Sequence, residues 1–203
     1  MFVTADALAR FSGLLGDAPT FEVTDKAAKA LSDTVTPVGL VAVCRTPEAA
    51  LPPSPRLVAV AVETSDPGNA GTLIRLADAM GADGVVFAGE GVDPYNAKCL
   101  RSSAGSIFAL PVVQAADTAE LLASLKAAGV QVLATTLDGE LPLPAADLGK
   151  PTAWLFGSEA HGLADDVADA ADARVSIPMH GGAESLNVAA AAAICLYASS
   201  QAR

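Results

Sequence analysis

Leu57-Val58-Ala59-Val60-Ala61-Val62 and, a few positions on, Asp66-Pro67-Gly68-Asn69-Ala70-Gly71-Thr72-Leu73-Ile74-Arg75 set the fold of this chain. The first run is apolar throughout, which reads as a strand with both faces covered. The second reads as a turn over residues 66–69 that opens a helix. Leu73, Ile74, Leu76, Ala77 and Met80 recur there at helical spacing, and Gly81 stops it. Residues 84–88 form the next apolar run. Apolar strands alternating with helices predict a parallel sheet with helices on both faces.

Downstream, the same grammar continues. It predicts a helix over 94–101, a Ser/Gly stretch at 102–106 leading into a strand over 107–113, and a helix to 128 capped by Asp117 or Thr118. A strand over 130–135, a Pro/Gly-broken loop over 138–150 and a strand over 152–156 come next. A short acidic helix over 164–170, a strand over 175–177 and an Ala-rich helix over 185–202 complete the chain. On this pattern alone the sheet is doubly wound and unknotted.

Upstream, Pro47, Pro52, Pro53 and Pro55 mark residues 46–56 as a semi-rigid linker. Residues 1–45 hold a strand or short helix at 2–8, a strand at 21–23, a helix to 31 capped by Thr24 or Asp25, and a β-rich run at 38–43. That piece is small for a core of its own. The expected organisation is therefore an N-terminal domain over 1–45, the linker, and a main domain over 57–203.

Of the 203 residues, 52% are hydrophobic, 17% charged and 4% aromatic. That composition excludes a disordered chain and leaves Ala, Val and Leu to fill the core. No apolar run is long enough for a membrane span, and no secretory signal pattern opens the chain. Cys44, Cys99 and Cys195 are scattered and match no metal or redox spacing. The net charge of -11 argues against a simple nucleic-acid binder. It leaves room for a local arginine cluster.

Three glycine loops each follow a predicted strand, so they gather on one edge of the sheet, where open parallel sheets bind ligands. The first is Asn69-Ala70-Gly71 with Arg75 after it, a turn suited to close approach and a cation suited to phosphate. The second is Gly157-Ser158-Glu159-Ala160-His161-Gly162. Its first glycine lets a ligand near the backbone, and Glu159 can accept amide hydrogen bonds or act as acid or base. The third is Ile177-Pro178-Met179-His180-Gly181-Gly182-Ala183-Glu184-Ser185-Leu186-Asn187. Ser185 is the expected N-cap of the last helix, with Asn187 a second capping candidate. His161 and His180 read as structural or solvated. No dinucleotide or phosphate-loop fingerprint is present.

Together these loops resemble the signature motifs of the SpoU/TrmH family of RNA 2′-O-methyltransferases in the SPOUT superfamily. The matching positions are Asn69, Gly71 and Arg75; Gly157, Ser158, Glu159 and Gly162; and Ile177-Pro178-Met179 with Ser185-Leu186-Asn187. Tyr95-Asn96 and Arg101-Ser102-Ser103-Ala104-Gly105 resemble the segment between the first two motifs. The resemblance covers residues 56–203. It implies a mostly parallel sheet flanked by helices with a C-terminal trefoil knot, preceded by part of an L30e-like RNA-binding domain whose beginning is missing.

The resemblance further implies a cytoplasmic homodimer that takes S-adenosylmethionine and no metal, with ribosomal RNA ahead of transfer RNA as substrate. Thr135, Gly157, Ile177, Met179 and Leu186 would hold the cofactor. Arg75 would grip an RNA phosphate and polarise the ribose hydroxyl, since a guanidinium keeps its proton and is a poor base. Asn69, Glu159, Ser185 and Asn187 would orient it, the loops or the substrate, and Arg101 is a second phosphate contact. Two competing readings are a non-catalytic RNA binder on the same fold and a small-molecule enzyme using Glu159 and His161.

Overall fold

The computed structural model describes residues 1–202, which divide into two compact units, residues 1–47 and the remainder from Glu48. The first unit contains β1 (Phe2–Val3), α1 (Ala5–Leu15), β2 (Phe21–Glu22), α2 (Asp25–Ala30) and β3 (Leu40–Val41). Its three strands run in the order β2-β1-β3, parallel on one side of β1 and antiparallel on the other. Thr4 caps α1 and Thr24 caps α2, each through a side-chain oxygen that accepts a backbone N–H.

The second unit contains β4 (Leu57–Val62), α3 (Pro67–Ala79), β5 (Gly84–Ala88), α4 (Ala97–Ser102), β6 (Val112–Ala115), α5 (Thr118–Ala127) and β7 (Gln131–Thr135). It continues through β8 (Leu141–Pro142), β9 (Thr152–Phe156), α6 (Asp165–Asp169), β10 (Ala173–Ser176) and α7 (Val188–Gln201). The seven strands form one sheet in the order β6-β5-β4-β9-β7-β10-β8, and every pairing is parallel.

The two-sided burial read from the sequence has a simple geometric form. Side chains alternate across a strand. Leu57, Ala59 and Ala61 of β4 join α3 and α7 in one core, with Trp154 and Phe156 of β9. Val58, Val60 and Val62 face the opposite way, into a core with Leu122 and Leu125 of α5 and Ala168 of α6. Trp154 is fully buried, and its indole N–H donates to Ser199 Oγ of α7 at 2.8 Å.

Several expectations shift. Residues 66–69 are not a free turn but the start of α3. Asp66 Oδ1 accepts from Asn69 N at 2.8 Å and Pro67 occupies the first turn, where its missing N–H costs nothing. The helix expected from 94 begins at Ala97, capped by Asn96. The strand expected over 107–113 is a 3₁₀ turn at 106–108 followed by β6, because Gly105 in the left-handed region (φ 96°) turns the chain first. The loop over 138–150 contains β8 and a 3₁₀ turn at 143–145. The last helix begins at Val188 with Asn187 as its cap, so Ser185 lies outside it. Residues 48–56, read as linker, belong to the second unit, where Asp83 Oδ2 accepts from the backbone N–H groups of Arg56 and Leu57 at 2.6 and 2.9 Å.

Candidate active site

Parallel pairing puts the carboxyl ends of β4, β7, β9 and β10 on one edge of the sheet. The segments that leave β7, β9 and β10, with residues 185–188 at the start of α7, border a cavity of about 730 Å³. That volume suits a ligand of nucleoside size. Its walls include Thr135 at the end of β7, Gly157 and Glu159 after β9, Ile177 and Met179 after β10, and Ser185, Leu186 and Asn187 before α7. The second and third sequence loops therefore converge, as do all five residues expected to hold a cofactor.

The first loop joins through hydrogen bonds. Asn187 Oδ1 accepts from Ala189 N at 2.9 Å as the cap of α7, which fixes the amide so that its Nδ2 donates. Asn187 Nδ2 donates to Asn69 Oδ1 at 3.3 Å, and Asn69 Nδ2 donates to Glu159 Oε1 at 2.9 Å. Ser65 supplies both its backbone N–H and its hydroxyl to Glu159 Oε2 at 3.3 Å. Partial desolvation pushes the Glu159 carboxyl up. The hydrogen bonds from Asn69, its own backbone and Ser65 outweigh that and leave its pKa below the usual glutamate value. Glu159 is thus an anchored anion with both carboxylate oxygens engaged. Nothing in the sequence singled out Ser65; a serine beside an Asp-Pro turn carries no distinctive signal.

Two glycines act differently from the expectation of close ligand approach. A Cβ on Gly157 would strike the backbone of Gly162 and Leu163. Ser158 and Gly162 exchange backbone hydrogen bonds at 3.0 and 2.9 Å, so residues 157–162 close into a small ring that aims Glu159 back at α3. A Cβ on Gly71 would strike Ser102 and the Cys99 carbonyl, so that glycine lets α3 and α4 pack. Gly181 and Gly182 face open space.

Arg75 and Arg101 do not line the cavity. Arg75 is exposed on α3, and its guanidinium makes no hydrogen bond or ion pair among the described residues. Arg101 is exposed in the last turn of α4. His161 lines the cavity but is exposed, with only its backbone N–H bonded, to Ser158 Oγ at 3.4 Å. His180 is exposed outside the cavity wall. Among the described residues no cluster of His, Cys, Asp or Glu could hold a metal, and no helix is long and apolar enough to cross a membrane.

The sequence profile of the SpoU rRNA Methylase family matches residues 56–197. The chain is 38% identical over 177 residues to the 23S rRNA (guanosine(2553)-2′-O)-methyltransferase RlmP of Bacillus subtilis, covering 87% of this chain and 71% of that one. It is 41% identical over 138 residues to the 23S rRNA (uridine(2479)-2′-O)-methyltransferase of Streptomyces viridochromogenes, covering 66% of this chain but about half, 48%, of that one. The crystal structure of the SpoU methyltransferase AviRb from Streptomyces viridochromogenes in complex with the cofactor AdoMet superposes with a TM-score of 0.87 at 29% identity. The match covers 98% of this chain and 81% of that one.

Proposed function

Since the chain belongs to the SpoU rRNA methylase family, we propose that it transfers a methyl group from S-adenosylmethionine to a ribose 2′-hydroxyl of RNA. The proposed substrate is 23S ribosomal RNA ahead of transfer RNA. The observation that carries this reading is the Asn187–Asn69–Glu159 hydrogen-bond chain, which joins all three motif loops beside one nucleoside-sized cavity. The cavity residues fit the cofactor chemically. Ile177, Met179 and Leu186 offer apolar contact for an adenine ring, and Thr135, Ser185 and Asn187 offer hydrogen-bonding groups.

S-adenosylmethionine supplies a methyl group activated on a sulfonium sulfur. The chain's contribution is placement. Holding the hydroxyl oxygen in line with that methyl makes a bimolecular step effectively unimolecular, which can remove about 7–11 kcal/mol of barrier. Arg75 grips the neighbouring RNA phosphate and polarises the 2′-hydroxyl, favouring loss of its proton. The lowered pKa and the donors from Ser65 and Asn69 make Glu159 a weak proton acceptor. It holds Asn69 and the ring at 157–162 in register instead. Ser185 and Asn187 shape the cavity mouth, and Arg101 adds a phosphate contact.

Because Arg75 stands outside the cavity of its own subunit, the proposal has a homodimer in which Arg75 serves the partner's cavity. It also carries the C-terminal trefoil knot, an L30e-like relationship for residues 1–45, a cytoplasmic location and a step without metal. The chain is tested with S-adenosylmethionine against 23S rRNA and against bulk transfer RNA, with 2′-O-methylation mapped on the products. A new ribose methyl in 23S rRNA is expected. Modification of transfer RNA alone reassigns the substrate. Cofactor binding with no transfer to either RNA overturns the enzymatic reading in favour of an RNA-binding protein.

A further inference from the structure

Outside the motif loops, one charged cluster abuts the same cavity. Arg174 sits in β10, in register with Ala134 of β7. Its Nη2 donates to both oxygens of Asp138, at 2.7 and 2.8 Å, and its Nη1 reaches Asp169 of α6 at 3.4 Å. Its backbone N–H donates to Glu140 Oε1 at 3.2 Å. The segment between these acidic residues is fastened again. Ser176 Oγ donates to Gly139 O at 2.9 Å, and Thr136 N donates to Val175 O at 3.0 Å. A Cβ on Gly139 would come within 2.6–2.8 Å of the β10 backbone, so the glycine lets the segment lie flat on the strand. Residues 136–140 thus form a strap laid along β10.

The strap belongs to the cavity. Thr135, Thr136, Leu137 and Asp138 make one wall, and Arg174, Val175 and Ile177 continue it. Leu137 is 68% exposed, so nothing in its own packing holds it there. Arg174 Nε is buried without a partner. A donor buried without a partner is unfavourable. The guanidinium is committed to the Asp138 side of the strap even though that leaves one of its own donors unpaired.

We propose that Arg174 is a positioning residue that sets cofactor affinity by strapping residues 136–140 across the cavity wall, a role that rests on the cavity being the S-adenosylmethionine site. Arg174 itself touches no reacting atom. It acts through Leu137 and Thr136, whose place over the cavity depends on the Asp138 contact. The motif loops contain none of these residues, so the strap is a separate determinant of binding.

Cofactor binding is measured by calorimetry and methyl transfer by steady-state kinetics, for the wild type and for the Arg174→Ala, Arg174→Lys and Asp138→Asn variants. The expected result is a rise of about tenfold in Kd and in KM for S-adenosylmethionine in Arg174→Ala, with kcat at saturating cofactor nearly unchanged. Arg174→Lys is expected to recover part of the loss, and Asp138→Asn to reproduce part of it. Hydrogen exchange of amides 136–140 should speed up in the same order. Wild-type affinity in all three variants overturns the strap, as does a fall in kcat with unchanged Kd. Should Arg174→Ala fail to fold, Asp138→Asn decides alone by the same criteria. A wild-type protein that binds no S-adenosylmethionine overturns the cavity assignment, and the strap with it.

Discussion

Asn69 and Asn187 lie 118 positions apart in sequence and share one hydrogen bond, Nδ2 of Asn187 to Oδ1 of Asn69 at 3.3 Å. The bond ties the first turn of α3 to the cap of α7. Asn187 has two duties there: its oxygen caps the helix and its nitrogen feeds Asn69. The Asn187→Asp variant separates them. Aspartate keeps the cap, so the melting temperature should stay close to wild type. It cannot donate to Asn69 and puts a second anion near Glu159. Methyl transfer should fall by about 10²-fold. Calorimetric melting and a single-turnover assay on the same sample check both halves.

The network also predicts a pH response. The folded-state pKa of Glu159 is depressed, so the stabilisation it gives is present above its unfolded value of 4.5 and is lost as pH falls through the lower folded value. Cofactor affinity should therefore stay flat with respect to Glu159 from about pH 6 to pH 8, then weaken only in acid, below the ordinary glutamate range. In Glu159→Gln that acid limb should disappear while affinity drops at every pH. A titration of cofactor binding against pH, in both proteins, makes the comparison. An acid limb unchanged in Glu159→Gln would assign it to another group.

Much of the second unit was legible because its central strands are apolar on both faces. The predicted strand over 57–62 matches β4 and that over 84–88 matches β5, and Asp117 caps α5 as its side chain allows. The misjudged boundaries are those where local chemistry admits two outcomes. Asp66-Pro67-Gly68-Asn69 is a turn sequence and equally a cap followed by a proline in the first helical turn. Ser185 and Asn187 are both capping residues, and only the path of the chain selects Asn187. The three motif loops could be grouped from sequence because each follows a strand of one sheet. The strap could not, because Arg174 and Asp138 are 36 positions apart, one within β10 and the other between β7 and β8. An arginine in a short strand was the only local sign.

Gly157 tests whether the ring at 157–162 must keep its shape. A methyl group there meets the backbone of Gly162 and Leu163 rather than a flexible side chain. The ring must open to admit it, which misdirects Glu159. Gly157→Ala should lose about 1–3 kcal/mol of stability and weaken cofactor binding by at least about tenfold. Gly181→Ala, where the added carbon meets open space, is the control and should leave stability unchanged. Denaturant melts and calorimetric titrations of both variants give the contrast.

Trp154 and Ser199 offer the opposite case, a contact that concerns the fold without entering the site. The indole N–H of β9 is fully buried and donates only to Ser199 Oγ of α7, itself 2% exposed. Ser199→Ala leaves that donor with no partner in a place water does not reach. The expected cost is about 1–3 kcal/mol. The hydroxyl is absent from the cavity wall, so cofactor affinity and kcat below the melting transition should match the wild type. Trp154 is the sole tryptophan, so its fluorescence reports the same contact directly. Its emission should shift during unfolding at a lower denaturant concentration in the variant, with the slope of the transition unchanged. A loss of activity in step with the loss of stability, measured well below the midpoint, would instead tie the β9–α7 contact to the site.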